Sequence, residues 1–242
     1  MDKIISENSE QVIAQVSNAI IALAEQCIAK TGQFTIALSG GSTPKLLYQY
    51  LIQEKLFNTI ELSKIFIYFS DERYVVHDDE RSNYGLARDN LLNFLNIPTN
   101  NVFSVDTSFD NPVDSTKNYQ DIIKNNVKSN NNIPEFDLIL LGMGADGHTA
   151  SLFPDSELVF VNDYLVGFCF HQESNTTRIS FTFPLINAAK NVFIITIGKE
   201  KFPVLNNINK LEQQNIIKYP IQHVKPKGKL TWFSDLAAQQ GD

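Results

Sequence analysis

The chain has 242 residues, 43% of them hydrophobic and 19% charged, enough for a sizeable core in one large α/β domain or two small ones. Its net charge of −7 argues against a broad surface for a nucleic-acid backbone, yet leaves room for a locally positive pocket that takes a small anion. No run approaches the roughly 18 apolar residues of a membrane span, and residues 1–6 lack the apolar stretch of a secretory signal.

Residues 9–30 carry Val12, Val16, Ile20, Leu23 and Cys27 at helical spacing, with Ile13 and Ala24 beside them, which predicts an amphipathic helix ended by Gly32. Phe34 to Leu38 follows as a short apolar strand, and similar runs recur at Ile65 to Phe69, Leu138 to Leu141 and Val192 to Ile197. Near-continuous apolar strands alternating with helical patterns predict a mostly parallel sheet with helices on both faces. Between them, Lys124 to Asn132 is polar and turn-rich and reads as a surface loop rather than a linker. With no internal repeat, residues 1–242 are expected to form one domain. Cys27 and Cys169 both stand in apolar settings and read as buried thiols of a reducing compartment, the cytoplasm.

Each of the four apolar runs passes directly into small, polar or charged residues. They are Ser39 to Thr43, Ser70 to Arg73, Gly142 to His148, and Gly198 to Lys201. In open α/β sheets ligands bind beyond the carboxyl ends of the strands, so parallel strands would bring these four loops to one site.

In the first loop, Ser39, Gly40, Gly41, Ser42 and Thr43 suit a phosphate or oxyanion cradle. The glycines permit close backbone approach. Thr43 is placed as helix cap and Pro44 as the first helical residue, so that a helix to about Gln53 presents its amino end to an anion. In the second loop, Arg73 has the planar fork that grips phosphate or carboxylate, and Asp71 can bind sugar hydroxyls or act as a base. The third loop is the most informative. Three glycines, Asp146 and His148 fall within seven residues, poor material for packing, and an imidazole titrates near neutrality, as activation of water requires. Thr149 to Pro154 is expected to form a short helix ended by the proline. His77, His171 and His223 read as surface histidines, and no spacing of His or Cys suggests a metal site. A Gly-x-Ser-x-Gly nucleophile elbow is also missing.

At these residues the sequence resembles the 6-phosphogluconolactonase family. The resemblance runs through Ala37 to Pro44, Asp71-Glu72-Arg73 with Ser82-Asn83-Tyr84, and Gly142 to Pro154. It continues in Arg178-Ile179-Ser180, Asn187 to Ala189, Gly198 with Lys201, and Trp232 to Asp235. It implies a Rossmann-like three-layer α/β sandwich, no metal or organic cofactor, and hydrolysis of 6-phospho-D-glucono-1,5-lactone in the pentose phosphate pathway. Carried onto this chain, it implies that the Ser39 to Thr43 amides, Arg178 and Lys201 hold the phosphate and that Arg73 adds charge near the phosphate or a ring oxygen. His148 would activate water, with Asp146 or Asp71 orienting it or binding hydroxyls. The expected partner is a small sugar phosphate, with no nucleic acid or membrane, and the protein is expected to be a monomer or weak homodimer.

The same fold serves glucosamine-6-phosphate deaminases and sugar-phosphate-sensing regulators. Arg73 stands where the deaminases usually have tyrosine, Phe153 where they use an acidic residue in ring opening, and Arg178-Ile179-Ser180 resembles the lactonase pattern. Two departures from that pattern are Phe202, where alanine usually follows the lysine, and Ala145 in place of a common proline.

Overall fold

The structure, a computed structural model, describes residues 1–241. In chain order the elements are β1 (Asp2–Ser6), α1 (Ser9–Thr31), β2 (Phe34–Leu38), α2 (Ser42–Gln53), β3 (Ile65–Phe69), β4 (Asp71–Arg73), α3 (Asn83–Asn90) and α4 (Pro112–Asn126). They continue with β5 (Ser129–Asn130), β6 (Ile133–Pro134), β7 (Leu138–Gly142), β8 (Val166–His171), β9 (Thr176–Phe181) and α5 (Phe183–Ala188). The chain closes with β10 (Asn191–Thr196), α6 (Phe202–Gln213), β11 (Lys229–Asp235) and α7 (Leu236–Gln240).

Six parallel strands form the central sheet in the order β1-β11-β10-β7-β2-β3. Strand alternation divides its side chains between two cores. Phe34, Ile36 and Leu38 of β2, with Leu138 and Leu140 of β7, face a cluster completed by Val12, Val16 and Ile20 of α1 and Leu47, Tyr48 and Leu51 of α2. Ala37, Ile139 and Leu141 face the other way, onto Tyr119 and Ile123 of α4, Leu185 of α5 and Leu205 of α6. The result is the three-layer α/β sandwich with helices on both faces that the apolar runs predict.

Helix α1 is built by its ends and its stripe. The Asn8 side chain accepts from the Gln11 amide at 3.0 Å, and Gly32 closes the far end at φ 80°, its amide donating to Ile28 O at 2.9 Å. By length and composition α1 is long and apolar enough to cross a membrane, although polar residues interrupt it throughout. Its apolar residues, however, gather on the side buried against the sheet, and Gln11, Gln15, Asn18 and Glu25 hold the exposed side.

A second, antiparallel sheet, β4-β9-β8, lies against the core beneath α4. Ser70 joins it to the main sheet, donating its amide to Leu38 O at 2.8 Å and accepting from the Phe181 amide at 2.8 Å. That junction sets β4 at the carboxyl ends of β2 and β3. Near the opposite ends, Asp137 is 3% exposed and accepts from the Thr35 amide (2.8 Å), the Thr35 hydroxyl (2.9 Å) and Lys190 Nζ (2.7 Å). Asp137→Ala leaves buried donors unpaired and is expected to cost about 2–4 kcal/mol, read as a lower urea midpoint with unchanged slope.

Four local expectations are corrected. Helix α2 begins at Ser42 with Gly41 as its cap and no side-chain capping bond, so Thr43 is not the cap and Pro44 is the third helical residue. Pro44 is accommodated because the first amides of a helix have no partner within it. Residues 149–154 form no helix: Ala150 adopts φ 47°, and a bridge pairs Thr149 with Leu152. Lys124 to Asn126 belong to α4, and Asn131 and Asn132, at φ 50° and 64°, turn the small β5–β6 hairpin, a left-handed conformation that asparagine tolerates. The two cysteines are partly rather than fully buried; burial first, then the nearby Asp137 carboxylate, pushes the Cys27 thiol up to about 11.

Candidate active site

The chain leaves β2 toward β3 on one side and leaves β7 toward β10 on the other, so the boundary between β2 and β7 is a topological switch point. A cleft of about 230 Å³ opens there beyond the carboxyl ends of the strands. Ser39, Gly40, Gly41, Ser42 and Thr43 form one wall, with Asp71, Arg73, His148 and Lys201 also at its surface. All four strand-end loops therefore meet at one place. Two sequence candidates stand behind the wall: Asp146 contacts the His148 ring, and Arg178 lies beside Arg73.

The first loop is held from beneath by Tyr48, whose buried hydroxyl donates to Ser39 O at 2.6 Å. Gly41 at φ 102° turns the chain into α2, a backbone conformation that side chains resist. The first turn of α2 has no side-chain cap, and Ser42 and Thr43 line the cleft, where helix-start amides without partners can donate to an anion.

The third loop is folded around its histidine. Gly144 N donates to His148 O at 2.9 Å, Gly147 N to Gly144 O at 3.0 Å, and the Thr149 hydroxyl to Gly142 O at 2.9 Å. Gly144 is required by close approach, since a Cβ there would lie 2.1 Å from His148 Nδ1. Asp146 Oδ1 stands 2.6 Å from His148 Nδ1 and also accepts from the His148 amide at 3.1 Å. Burial pushes the Asp146 carboxyl up, but its hydrogen bonds and the His148 charge outweigh that and hold it below the usual carboxylate value. An ionised Asp146 places the imidazole proton on Nδ1 and leaves the Nε2 lone pair available.

Phe153 packs its ring on His148 at 4.7 Å and on His171 at 4.0 Å. His171 is thus half-buried in a stack, and its Nδ1 meets Ser174 Oγ at 2.8 Å. His77 and His223 are half-buried too, so none of the three is the free surface histidine expected. Residues after strand ends were legible in the sequence, whereas this stack joins residues 18 apart whose proximity depends on β8 and β9.

Asp71 is 7% exposed, and its Oδ2 accepts from Ser151 Oγ at 2.7 Å. The neighbouring Glu72 turns away and accepts from the amides of Arg73 (2.7 Å), Asn83 (2.6 Å) and Tyr84 (2.8 Å), tying β4 to the start of α3. Burial pushes the Glu72 carboxyl up and those three amides oppose it. Arg73 and Arg178 are direct partners across the β4–β9 ladder, and the Nε atoms of both are buried without a partner. Burial, then the charge of Arg73, lowers the Arg178 pKa. Like charges placed opposite each other destabilise a sheet unless an anion joins them. Lys201 is the cap of α6, so Phe202 leaves the helix start undisturbed.

The parallel α/β sandwich thus gathers its glycine-rich and charged strand-end loops at the switch point, with Asp146 against the His148 ring. The sequence profile described as "Glucosamine-6-phosphate isomerases/6-phosphogluconolactonase" matches residues 7–232, and the chain belongs to that family. It is 38% identical to a 6-phosphogluconolactonase of Nostoc over 228 residues, covering 94% of this chain and 92% of the relative. Identity to one from Synechocystis is 35%, over 96% and 94%. Among solved structures, 6-phosphogluconolactonase from Trypanosoma cruzi superposes with a TM-score of 0.86 at 30% identity, over 98% of this chain and 94% of that one. A monomeric glucosamine-6-phosphate deaminase, at 16% identity and a TM-score of 0.82, shares the fold.

Proposed function

We propose that the protein hydrolyses 6-phospho-D-glucono-1,5-lactone to 6-phospho-D-gluconate, the lactone-opening step of the pentose phosphate pathway. The observation that carries this reading is the setting of His148, with Asp146 on its Nδ1 and the apolar Phe153 ring against its face. Deaminase chemistry requires a proton shuttle between adjacent carbons, and a phenyl ring offers none. Lactone opening requires only an activated water, a polarised carbonyl and an anchored phosphate.

In this reading the phosphate rests on the amides of residues 39–43 and is held by Lys201, with Arg73 and Arg178 supplying positive charge at the same end. His148 Nε2 takes a proton from water as the water oxygen bonds to the lactone carbonyl carbon. The carbonyl oxygen carries the negative charge in the tetrahedral intermediate, and backbone donors there contribute about 10²–10³ in rate. Collapse breaks the bond to the ring oxygen, which receives the proton back from the imidazolium. Asp146, ionised throughout, supports the transient cation. Asp71, fixed by Ser151, binds sugar hydroxyls. No cofactor is needed for any of these transfers.

Acid release from freshly prepared lactone, corrected for spontaneous hydrolysis, tests the proposal. Rapid release with no ammonia from glucosamine 6-phosphate is the expected result; ammonia release without lactone hydrolysis would sink it. The protein is placed in the cytoplasm as a monomer or weak homodimer, to be checked by cell fractionation and by sedimentation across a concentration series.

A further inference from the structure

Asn83 lines the cleft, and the chemistry above leaves it unused. It is the first residue of α3 and is 1% exposed. Its Nδ2 donates to Asp71 O at 2.9 Å. That contact fixes which way the amide lies, because a reversed amide would set Oδ1 against a carbonyl oxygen with no proton between them. Oδ1 consequently points toward Gly40, where it is buried and has no hydrogen-bond partner. Gly40 makes room for it: a Cβ at Gly40 would fall 1.7 Å from Oδ1. Unlike Gly41, Gly40 is not in the positive-φ region, so close approach rather than backbone conformation explains the glycine.

A buried acceptor without a donor is costly and is retained where a ligand completes it. The donor cannot be a phosphate dianion, whose oxygens only accept. A sugar hydroxyl has the required proton. We infer that Asn83 is a specificity-determining residue whose Oδ1 accepts a hydrogen bond from one ring hydroxyl of the lactone. This rests on the proposed lactonase function and adds to it a reader of the sugar, separate from the anion cradle.

The test pairs substrate with variant. The parent lactone and its 2-deoxy, 3-deoxy and 4-deoxy analogues are hydrolysed by the native protein, by Asn83→Ala and by Asn83→Ser, with thermal denaturation confirming that each variant folds. For one analogue, the native protein is expected to lose about 10–100-fold in kcat/KM relative to the parent lactone. The variants should show a similar loss on the parent and no further loss on that same analogue. Losses that multiply for all three analogues would mean a structural role only and overturn the inference, as would equal rates of the native protein on all four lactones. Failure of the native protein to hydrolyse the parent lactone would instead defeat the functional reading itself.

Discussion

Replacing His148 by alanine is expected to lower kcat by about 10²–10⁴-fold, the usual contribution of a positioned general base. KM should change much less, because the phosphate contacts assigned to residues 39–43, Arg73 and Lys201 remain. The measurement is acid release at saturating lactone, with the uncatalysed rate subtracted. Near-native kcat in this variant would remove His148 from the mechanism. The variant should fold, since the histidine side chain is about one-third exposed and occupies a loop rather than a core.

Asp146→Asn should cost about 10²-fold or more through the tautomer it selects. An amide can turn its NH₂ toward Nδ1, which moves the imidazole proton to Nε2 and removes the lone pair that accepts from water. Thermal denaturation of the variant separates this from a loss of shape. In the native protein the Asp146 carboxyl lies below its usual value and stays charged across the neutral range. The variant is therefore expected to lose kcat with little change in KM. A native kcat would show that the 2.6 Å contact has no part in catalysis. Neutral substitution at Asp71 offers a contrast, since the role proposed for it is binding hydroxyls and its loss should fall mainly on KM.

Several elements lie on opposite sides of what a sequence can carry. The amphipathic stripe of α1, the apolar runs of β2, β3, β7 and β10, and the polar loops that end those strands follow from side-chain chemistry at short range. Those features suffice to place Ser39 to Thr43, Asp71, Arg73, His148 and Lys201 at one sheet edge, because parallel strands carry their carboxyl ends to the same side. Helix caps were less legible. Side-chain chemistry points to Thr43 as the cap of α2, whereas Gly41 takes that role through a φ of 102°. The residues 149–154 loop has helix-compatible composition, but Ala150 at φ 47° and the pairing of Thr149 with Leu152 are imposed by packing around Ser151 and Phe153.

The sequence by itself determined the alternation of strands and helices, the histidine in its glycine-rich loop, and the chemistry available to it. Only the tertiary structure decided its partners. It put Asp146 rather than Asp71 on the ring, stacked Phe153 against His148, and set Arg178 beside Arg73. It also turned the unpaired oxygen of Asn83 toward Gly40. The reason is distance along the chain. Periodicity and spacing report neighbours within a few residues, whereas Arg73 with Arg178, and Ser151 with Asp71, meet through strand pairing and core packing. Even Asp146 and His148, two residues apart, needed the loop's backbone bonds to bring Oδ1 onto Nδ1.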